Sequence, residues 1–399
     1  MMVGLFRLND KHHQRAGQAE EKTSAFLFPK NMGMCSPIIK RKRNCSMIIT
    51  ICSQATSEER TQLMTLVCRI TGNLHPITTT VMDGHELLVL DATHIDAAAQ
   101  ALLREQPAVE RVTRVKTAYK LVSRAFKAED TTIQIGAGHD CEQVTLGGAS
   151  STIIAGPCAV EDREQLLTTA HAVKHAGAHM LRGGAFKPRT SPYQFQGLGV
   201  EGLHLLAEAR QETGLPIITE VMEPDLVEIV AQHADILQIG SRNMQNFPLL
   251  LAAGRHTAKR PVLLKRGLSA TIDEWLLAAE YIVAAGNPNV ILCERGIRSY
   301  DQQTRNVLDL ACVPLLRELT HLPVIVDPSH ATGKRELVPS MARASIAAGA
   351  DGLIIEVHSD PNNALCDGRQ SITPEQLHKI VREAHMLTQM FAEQVTVGV

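Results

Sequence analysis

The stretch PIITEVMEPDLVEIVAQHADILQIG, Pro216 to Gly240, decides the fold class. A short apolar strand, PIITEV, is followed by a helical stretch and then by a second short strand, ILQIG. Working outward, the same unit recurs as STIIAG (151–156) and HMLRGG (179–184) on one side. On the other side stand PVLLKRG (261–267), VILCERG (290–296), PVIVDPSH (323–330) and GLIIEVH (352–358). Helical stretches such as REQLLTTAHAVKHAG and IDEWLLAAEYIVAAG separate the strands. Eight strand–helix units within residues 151–399 match the size of a (β/α)₈ TIM barrel. A doubly wound open α/β sheet is the competing architecture, and eight regular units favour closure.

Three zones precede the barrel. Residues 1–46 are polar and irregular, with KRKR at 40–43, and read as a disordered tail. Residues 47–116 give a small α+β unit. MIITIC is a strand, and SEERTQLMTLVCRITG is a helix with Ser57 as N-cap and Gly72 as its stop. ITTTVMDGHELLVLD makes two strands around an Asp-Gly turn, HIDAAAQALLREQP a helix ended by Pro107, and VERVTRV a last strand. The order βαββαβ predicts a ferredoxin-like sandwich, and it holds no cluster of ligating or nucleophilic residues. Residues 117–150 form a linker with short strands at TTIQIG and QVTLGG.

Composition narrows the chemistry. The 399 residues carry 40 Lys and Arg against 42 Asp and Glu, a formal charge of −2. That balance argues against a nucleic-acid or membrane-surface binder, so any anion site must be local. The 9 cysteines show no disulfide framework and no CxxC zinc spacing, which points to a reducing, cytoplasmic setting. No apolar run approaches the ~20 residues of a membrane helix, and no signal-type segment opens the chain.

The polar residues gather at one end of the expected barrel. Cys158 follows the first strand, Arg182 ends the second and Glu220 the third; Ser241 and Arg242 follow the fourth. Lys265 and Arg266 end the fifth strand, Glu294 and Arg295 the sixth. His330 follows the seventh, Glu356 ends the eighth, and Asp367 lies in the loop beyond. This is the C-terminal mouth, where barrel enzymes build active sites. Arg182, Lys187, Arg189, Arg242, Lys265 and Arg295 make a cationic bowl suited to more than one anionic group, such as two phosphates and a carboxylate. Cys158, His330, Glu356 and Asp367 offer a thiolate, an imidazole and two carboxylates. That mixture suits Mn²⁺, Fe²⁺, Co²⁺ or Zn²⁺ better than Mg²⁺.

On these residues the chain resembles a known family. GPCAVED, LRGGAFKPRTSPYQFQGLG, GSRNMQNFPLL, LLKRG, CERGIRSY, DPSHATG and IIEVHSDP are similar to the motifs of 3-deoxy-D-arabino-heptulosonate 7-phosphate (DAHP) synthase. The resemblance spans essentially all of residues 151–391, and the unit ahead of the barrel is similar to the N-terminal regulatory extension of one variant of that family. It implies condensation of phosphoenolpyruvate with erythrose 4-phosphate, the opening reaction of the shikimate pathway. Phosphoenolpyruvate would be held by Arg182, Lys187, Arg242, Lys265 and Arg295, and the phosphate of erythrose 4-phosphate by Arg189 and Thr190. A divalent ion, Mn²⁺ first among the candidates, would be held by Cys158, His330, Glu356 and Asp367, with Lys187 the candidate for proton transfer. Feedback inhibition by tyrosine or phenylalanine and a homotetramer or homodimer are further expectations.

Two departures stand out. In LCDGRQS, Cys366 precedes the metal-binding Asp and is a competing ligand or a partner for oxidation with Cys158; Arg369 is expected to face solvent. The sibling family, 3-deoxy-D-manno-octulosonate 8-phosphate synthase, takes arabinose 5-phosphate; its pattern has Asn where Pro188 stands, so KPRT favours the four-carbon sugar. A non-catalytic amino-acid sensor is the reading from another class, and the complete constellation argues against it.

Overall fold

The computed structural model describes residues 46–397 except 73–77, 83, 92–94, 137–138 and 190. The expected tail, but for Ser46, and Thr190 therefore lie outside the described residues. The N-terminal unit runs β1 (Ser46–Ile51), α1 (Ser57–Thr71), β2 (Thr78–Met82), β3 (His85–Asp91), α2 (Ala97–Arg104) and β4 (Val109–Val115). The strand order β2-β3-β1-β4, with every pair antiparallel, is that of a ferredoxin-like sheet. The N-cap of α1 is Thr56 rather than the expected Ser57. Its hydroxyl accepts from Glu59 N while the Glu59 carboxylate accepts from Thr56 N, a reciprocal box that Ser57, two residues before Glu59, cannot make. Pro107 lies beyond the end of α2, as expected. One sheet face packs Ile49, Ile51, Leu88 and Leu90 under α1 and α2. Ile48, Leu87, Val89 and Val115 of the other face join Tyr119, Leu121 and Val122 of the connecting segment. That segment is pinned to the barrel, because Leu121 N and Val122 N donate to the Glu280 carboxylate at 2.9 and 3.1 Å.

A short antiparallel hairpin follows, β5 (Ile133–Ile135) and β6 (Val144–Leu146). The barrel strands are β7 (Thr152–Gly156), β8 (Met180–Arg182), β9 (Ile217–Glu220), β10 (Ile236–Ile239), β11 (Val262–Lys265), β12 (Val290–Glu294), β13 (Val324–Val326) and β14 (Gly352–Glu356). They pair in chain order, and β14 closes on β7 in parallel register. The helices around them are α3 (Arg163–His175), α4 (Val200–Thr213), α5 (Val227–His233), α6 (Phe247–Arg255), α7 (Ile272–Ala284), α8 (Cys312–Leu319), α9 (Pro328–Thr332), α10 (Val338–Ala347) and α11 (Pro374–Val397).

Strand alternation sorts the barrel residues. Ile154, Met180, Ile218, Ile236, Leu263, Ile291, Ile325 and Ile354 form one buried interior layer, and Ile133, Ile135 and Leu146 of the hairpin join it from the N-terminal end. Their neighbours Ile153, Leu181, Ile217, Leu237, Leu264, Leu292, Val326 and Leu353 belong to the separate cluster shared with the helices. Trp275 of α7 is fully buried there, its indole Nε1 donating to Leu264 O at 3.1 Å.

The floor is tied by polar residues that immediately precede strands. His179 Nδ1 accepts from Ile153 N at 2.9 Å, Asp235 Oδ2 from Ile217 N at 2.8 Å, and Asp351 Oδ2 from Val324 N at 2.7 Å. Each clips the start of its strand to the strand before. Asp235 also pairs with Arg210 at 3.3 Å and His139 at 2.7 Å, and Asp351 with Arg317 at 2.9 Å.

Candidate active site

Two residues beyond each interior apolar residue, a strand presents its next inward position. The layer therefore predicts what lines the mouth: Met180 leads to Arg182, Ile218 to Glu220, Ile236 to Gln238, Leu263 to Lys265, Ile325 to Asp327 and Ile354 to Glu356. On β12 the series runs Ile291, Cys293, Arg295. Above them opens a cavity of about 460 Å³ lined by Arg182, Lys187, Arg189, Arg242, Lys265, Arg295, Arg298 and Arg305, with Glu220 and Asp367 its only acids among the described residues. Asp327 and Glu356 beneath the cavity pair with Lys265 and Arg182, and the cations that remain in excess suit bound anions.

The run at 181–193 explains its own composition. A Cβ on Gly184 would stand 2.5 Å from Lys187 Cδ and 2.7 Å from Cys158 O. Glycine there lets Lys187 fold back, and its Nζ lies 2.8 Å from Cys158 O and 3.1 Å from Cys158 Sγ. Arg182 is buried, with Nε and Nη2 donating to Pro157 O and Cys158 O at 3.2 Å each. Its Nη1 is buried without a partner. An orphaned guanidinium N–H is costly unless a ligand meets it. Arg189 is half-buried, its Nε donating to Phe195 O, and Arg242 is exposed with Nη1 at 3.5 Å from Pro188 O.

Cys158, His330, Glu356 and Asp367 place one potential ligand atom each within 4.8 Å of one another. His330 sits on α9, whose single turn is N-capped by Asp327: Oδ1 accepts from His330 N at 2.9 Å. Oδ2 lies 2.7 Å from His330 Nδ1 and 2.5 Å from Lys265 Nζ. A carboxylate can only accept, so the proton stands on Nδ1 and the Nε2 lone pair faces Glu356 Oε1 at 3.2 Å and Asp367 Oδ2 at 3.9 Å. Burial holds the imidazole below its ordinary pKa, although Asp327 and Glu356 pull it upward. Asp327 titrates far below the usual carboxylate range: burial opposes this, but His330 and Lys265 together overcome it.

Glu356 Oε1 is buried, 3.3 Å from Arg182 Nη2, and makes no hydrogen bond. An unsatisfied carboxylate oxygen facing an imidazole lone pair fits a cation between them, which is how these residues match a divalent ion. Cys158 is raised well above the ordinary thiol value by its contact with Cys366, by burial and by Glu356, with Lys187 pulling the other way. A divalent charge is the group that would hold it as thiolate. Cys366 is buried with Sγ 3.0 Å from Cys158 Sγ, and Asp367 Oδ2 lies 3.2 Å from the same sulfur. Asp367 adopts φ 51°, a left-handed conformation that a non-glycine residue rarely takes and that the loop holds against strain.

The structure brings together all the expected site residues that it describes, with two exceptions among the strand-end charges. Arg266 and Glu294 occupy outward strand positions and pair with each other at 3.0 Å. Arg266 also binds Asp309 at 2.8 Å and stands 5.9 Å from the Trp275 ring. They buttress the outer shell and do not line the cavity. Arg369 is exposed, as expected. Gln238, Asp327, Arg298, Arg305 and Gln370 were not among the expected residues. Strand parity finds the first two; the others sit on loops with no periodic signal.

Comparison with known proteins follows this geometry closely. The DAHP synthetase I family matches residues 125–393. A phospho-2-dehydro-3-deoxyheptonate aldolase of Thermotoga maritima is 51% identical over 287 residues, covering 72% of this chain and 82% of the relative. A 2-dehydro-3-deoxyphosphooctonate aldolase of Syntrophotalea carbinolica is 35% identical over 259 residues, covering 60% of this chain and 92% of the relative. A crystal structure of the DAHP synthase from Thermotoga maritima superposes with a TM-score of 0.66 at 44% identity, covering 87% of this chain and 98% of that one.

Proposed function

The chain belongs to the DAHP synthetase I family, and from that premise we propose that it condenses phosphoenolpyruvate with erythrose 4-phosphate to give DAHP and inorganic phosphate. The reaction opens the shikimate pathway to chorismate and the aromatic amino acids. The observation that carries the reading is the position of the four-residue ligand cluster on the wall of the cationic cavity. Arg182, Lys187, Arg242, Lys265 and Arg295 bind phosphoenolpyruvate through its phosphate and carboxylate, and the unpartnered Arg182 Nη1 supplies one such contact. Arg189, with Thr190, binds the phosphate of erythrose 4-phosphate. Cys158, His330, Glu356 and Asp367 hold a divalent ion, Mn²⁺ foremost, which when bound polarises the sugar aldehyde.

The enol carbon of phosphoenolpyruvate forms the new C–C bond to the aldehyde carbon, and Lys187 delivers a proton to the aldehyde oxygen. Water then adds at the carbon bearing the phosphate ester, and phosphate leaves by C–O cleavage. Lys265, held by Asp327, and the arginines keep the departing phosphate charge balanced. The chemistry needs no membrane, and among the described residues no helix is long and apolar enough to cross one; we place the enzyme in the cytoplasm. The ferredoxin-like unit, in which no cluster of ligating groups occurs among the described residues, acts as a regulator, with tyrosine or phenylalanine as the inhibitor.

A phosphate-release assay with phosphoenolpyruvate and each candidate sugar tests the assignment. Turnover with erythrose 4-phosphate supports it. Preference for arabinose 5-phosphate would give the chain the activity named for its 35% identical relatives, and no release with either would leave the sensor reading.

A further inference from the structure

Arg305 and Gln370 are absent from the reading above, yet they form one arm against both carboxylates of the ligand cluster. Arg305 lies on the loop after β12 and also lines the cavity. Its Nη1 donates to Gln370 Oε1 at 3.0 Å and stands 3.6 Å from Asp367 Oδ1. Gln370 is buried, 3% exposed, and its Nε2 donates to Glu356 Oε2. The oxygens so engaged are in each case the ones turned away from the cluster. Glu356 Oε1 and Asp367 Oδ2 are the oxygens that face His330 Nε2 and, for Asp367, Cys158 Sγ.

We propose that Arg305 and Gln370 are positioning residues that make Glu356 and Asp367 one-oxygen ligands of the divalent ion. The proposal rests on the reading of the cluster as a metal site. A carboxylate near a divalent ion binds readily through both oxygens. Here the second oxygen of Glu356 is occupied by an amide N–H, and that of Asp367 faces a guanidinium charge. With one donor each from Cys158 and His330, the protein then supplies four donors, and the remaining coordination positions stay available to water or substrate. The amide of Gln370 can serve both partners because it is a donor and an acceptor at once: its oxygen takes the Arg305 N–H while its nitrogen serves Glu356. A carboxylate at position 370 lacks the donor, and an apolar side chain lacks both.

The test is Co²⁺ titration of the full-length protein followed by its visible spectrum, with affinity measured by chelator competition. The parent protein shows a thiolate-to-cobalt charge-transfer band that Cys158→Ala abolishes; if the parent binds no Co²⁺, the metal reading falls, and this inference with it. Given that band, Gln370→Met and Arg305→Ala each weaken Co²⁺ binding by about ten- to a hundredfold, the usual effect of removing an outer partner of a ligand. Their d–d bands also lose intensity, as added carboxylate oxygens raise the coordination number. Arg305→Lys, which keeps the charge beside Asp367 but not the planar fork, recovers part of the affinity. Arg305 is 40% exposed, so its variants keep the folded barrel even if Gln370→Met does not. Unchanged affinity and spectra in the Arg305 variants, with the parent band intact, would overturn the proposal and leave the metal reading standing.

Discussion

At the floor of the barrel Asp235 and Asp351 each hold a cationic partner and a backbone N–H of the preceding strand. At the mouth, the opposite end of the barrel, β8, β11 and the end of β12 carry Arg182, Lys265 and Arg295 into a cavity lined by eight cations and two carboxylates. The floor is electrostatically closed: each of these buried aspartates is offset by a neighbour, and the network serves to start strands in register. At the mouth Asp327 and Glu356 offset Lys265 and Arg182, and the positive charge that remains in excess is stable only in a fold that other contacts already hold. A barrel can therefore keep its chemistry and its stability at opposite ends, and a substitution should reveal which end it belongs to by what it disturbs.

The sharpest break between the ends comes from the ligand cluster. Cys158→Ala or His330→Ala should lower turnover by about a thousandfold or more, several kcal/mol of lost Lewis-acid assistance, with thermal stability nearly unchanged. Full activity of either variant after exhaustive chelation would end the metal assignment. At the floor, Asp235→Ala should do the converse. It strands Arg210 and the Ile217 amide and costs about 3 kcal/mol or more of stability by denaturant titration, while turnover per folded molecule holds. A loss of turnover without a loss of stability would erase the distinction between the two ends.

Within the mouth the contrast is finer. Arg189→Ala should raise the KM for erythrose 4-phosphate by about ten- to a hundredfold, the value of a hydrogen bond to a charged group, with little change for phosphoenolpyruvate. Arg295→Ala should show the reverse preference, and equal effects on both substrates would redraw the partition of the bowl. The smallest effect concerns the N-terminal sheet. A chain beginning at Thr131, which keeps the hairpin plugging the floor, should retain turnover and lose inhibition by the aromatic effector, a coupling of about 1–3 kcal/mol. Undiminished inhibition in the shortened chain would move the effector site into the barrel.

The barrel is legible in the sequence because each strand is a short apolar run buried on both faces, and the cluster at the mouth is legible because Cys158, His330 and Glu356 lie at or just beyond strand ends. Period-two alternation would have added Asp327 and Gln238, each two residues past an interior isoleucine. It would also have sent Arg266 and Glu294 to the outer shell, which a reading by strand end alone does not do. Arg305 and Gln370 are illegible by any periodicity. Their roles depend on two loops meeting, and a contact between residues 65 positions apart leaves no mark on either segment. The N-cap at Thr56 was legible in principle, since Thr-x-x-Glu is the capping-box spacing and the serine beside it lacks an acid three residues on.

The chain contains one tryptophan, and the fold has placed it where light can report on the chemistry. Trp275 is sealed behind β11, its indole bonded to the carbonyl of Leu264, and the next residue is Lys265 at the cavity. Its native emission therefore comes from a single dry site, free of overlap from other indoles. An anion that draws on Lys265 would act on the residue directly after the carbonyl that holds the indole. The proposed binding of phosphoenolpyruvate should therefore change the intrinsic fluorescence, with no label added and no turnover required.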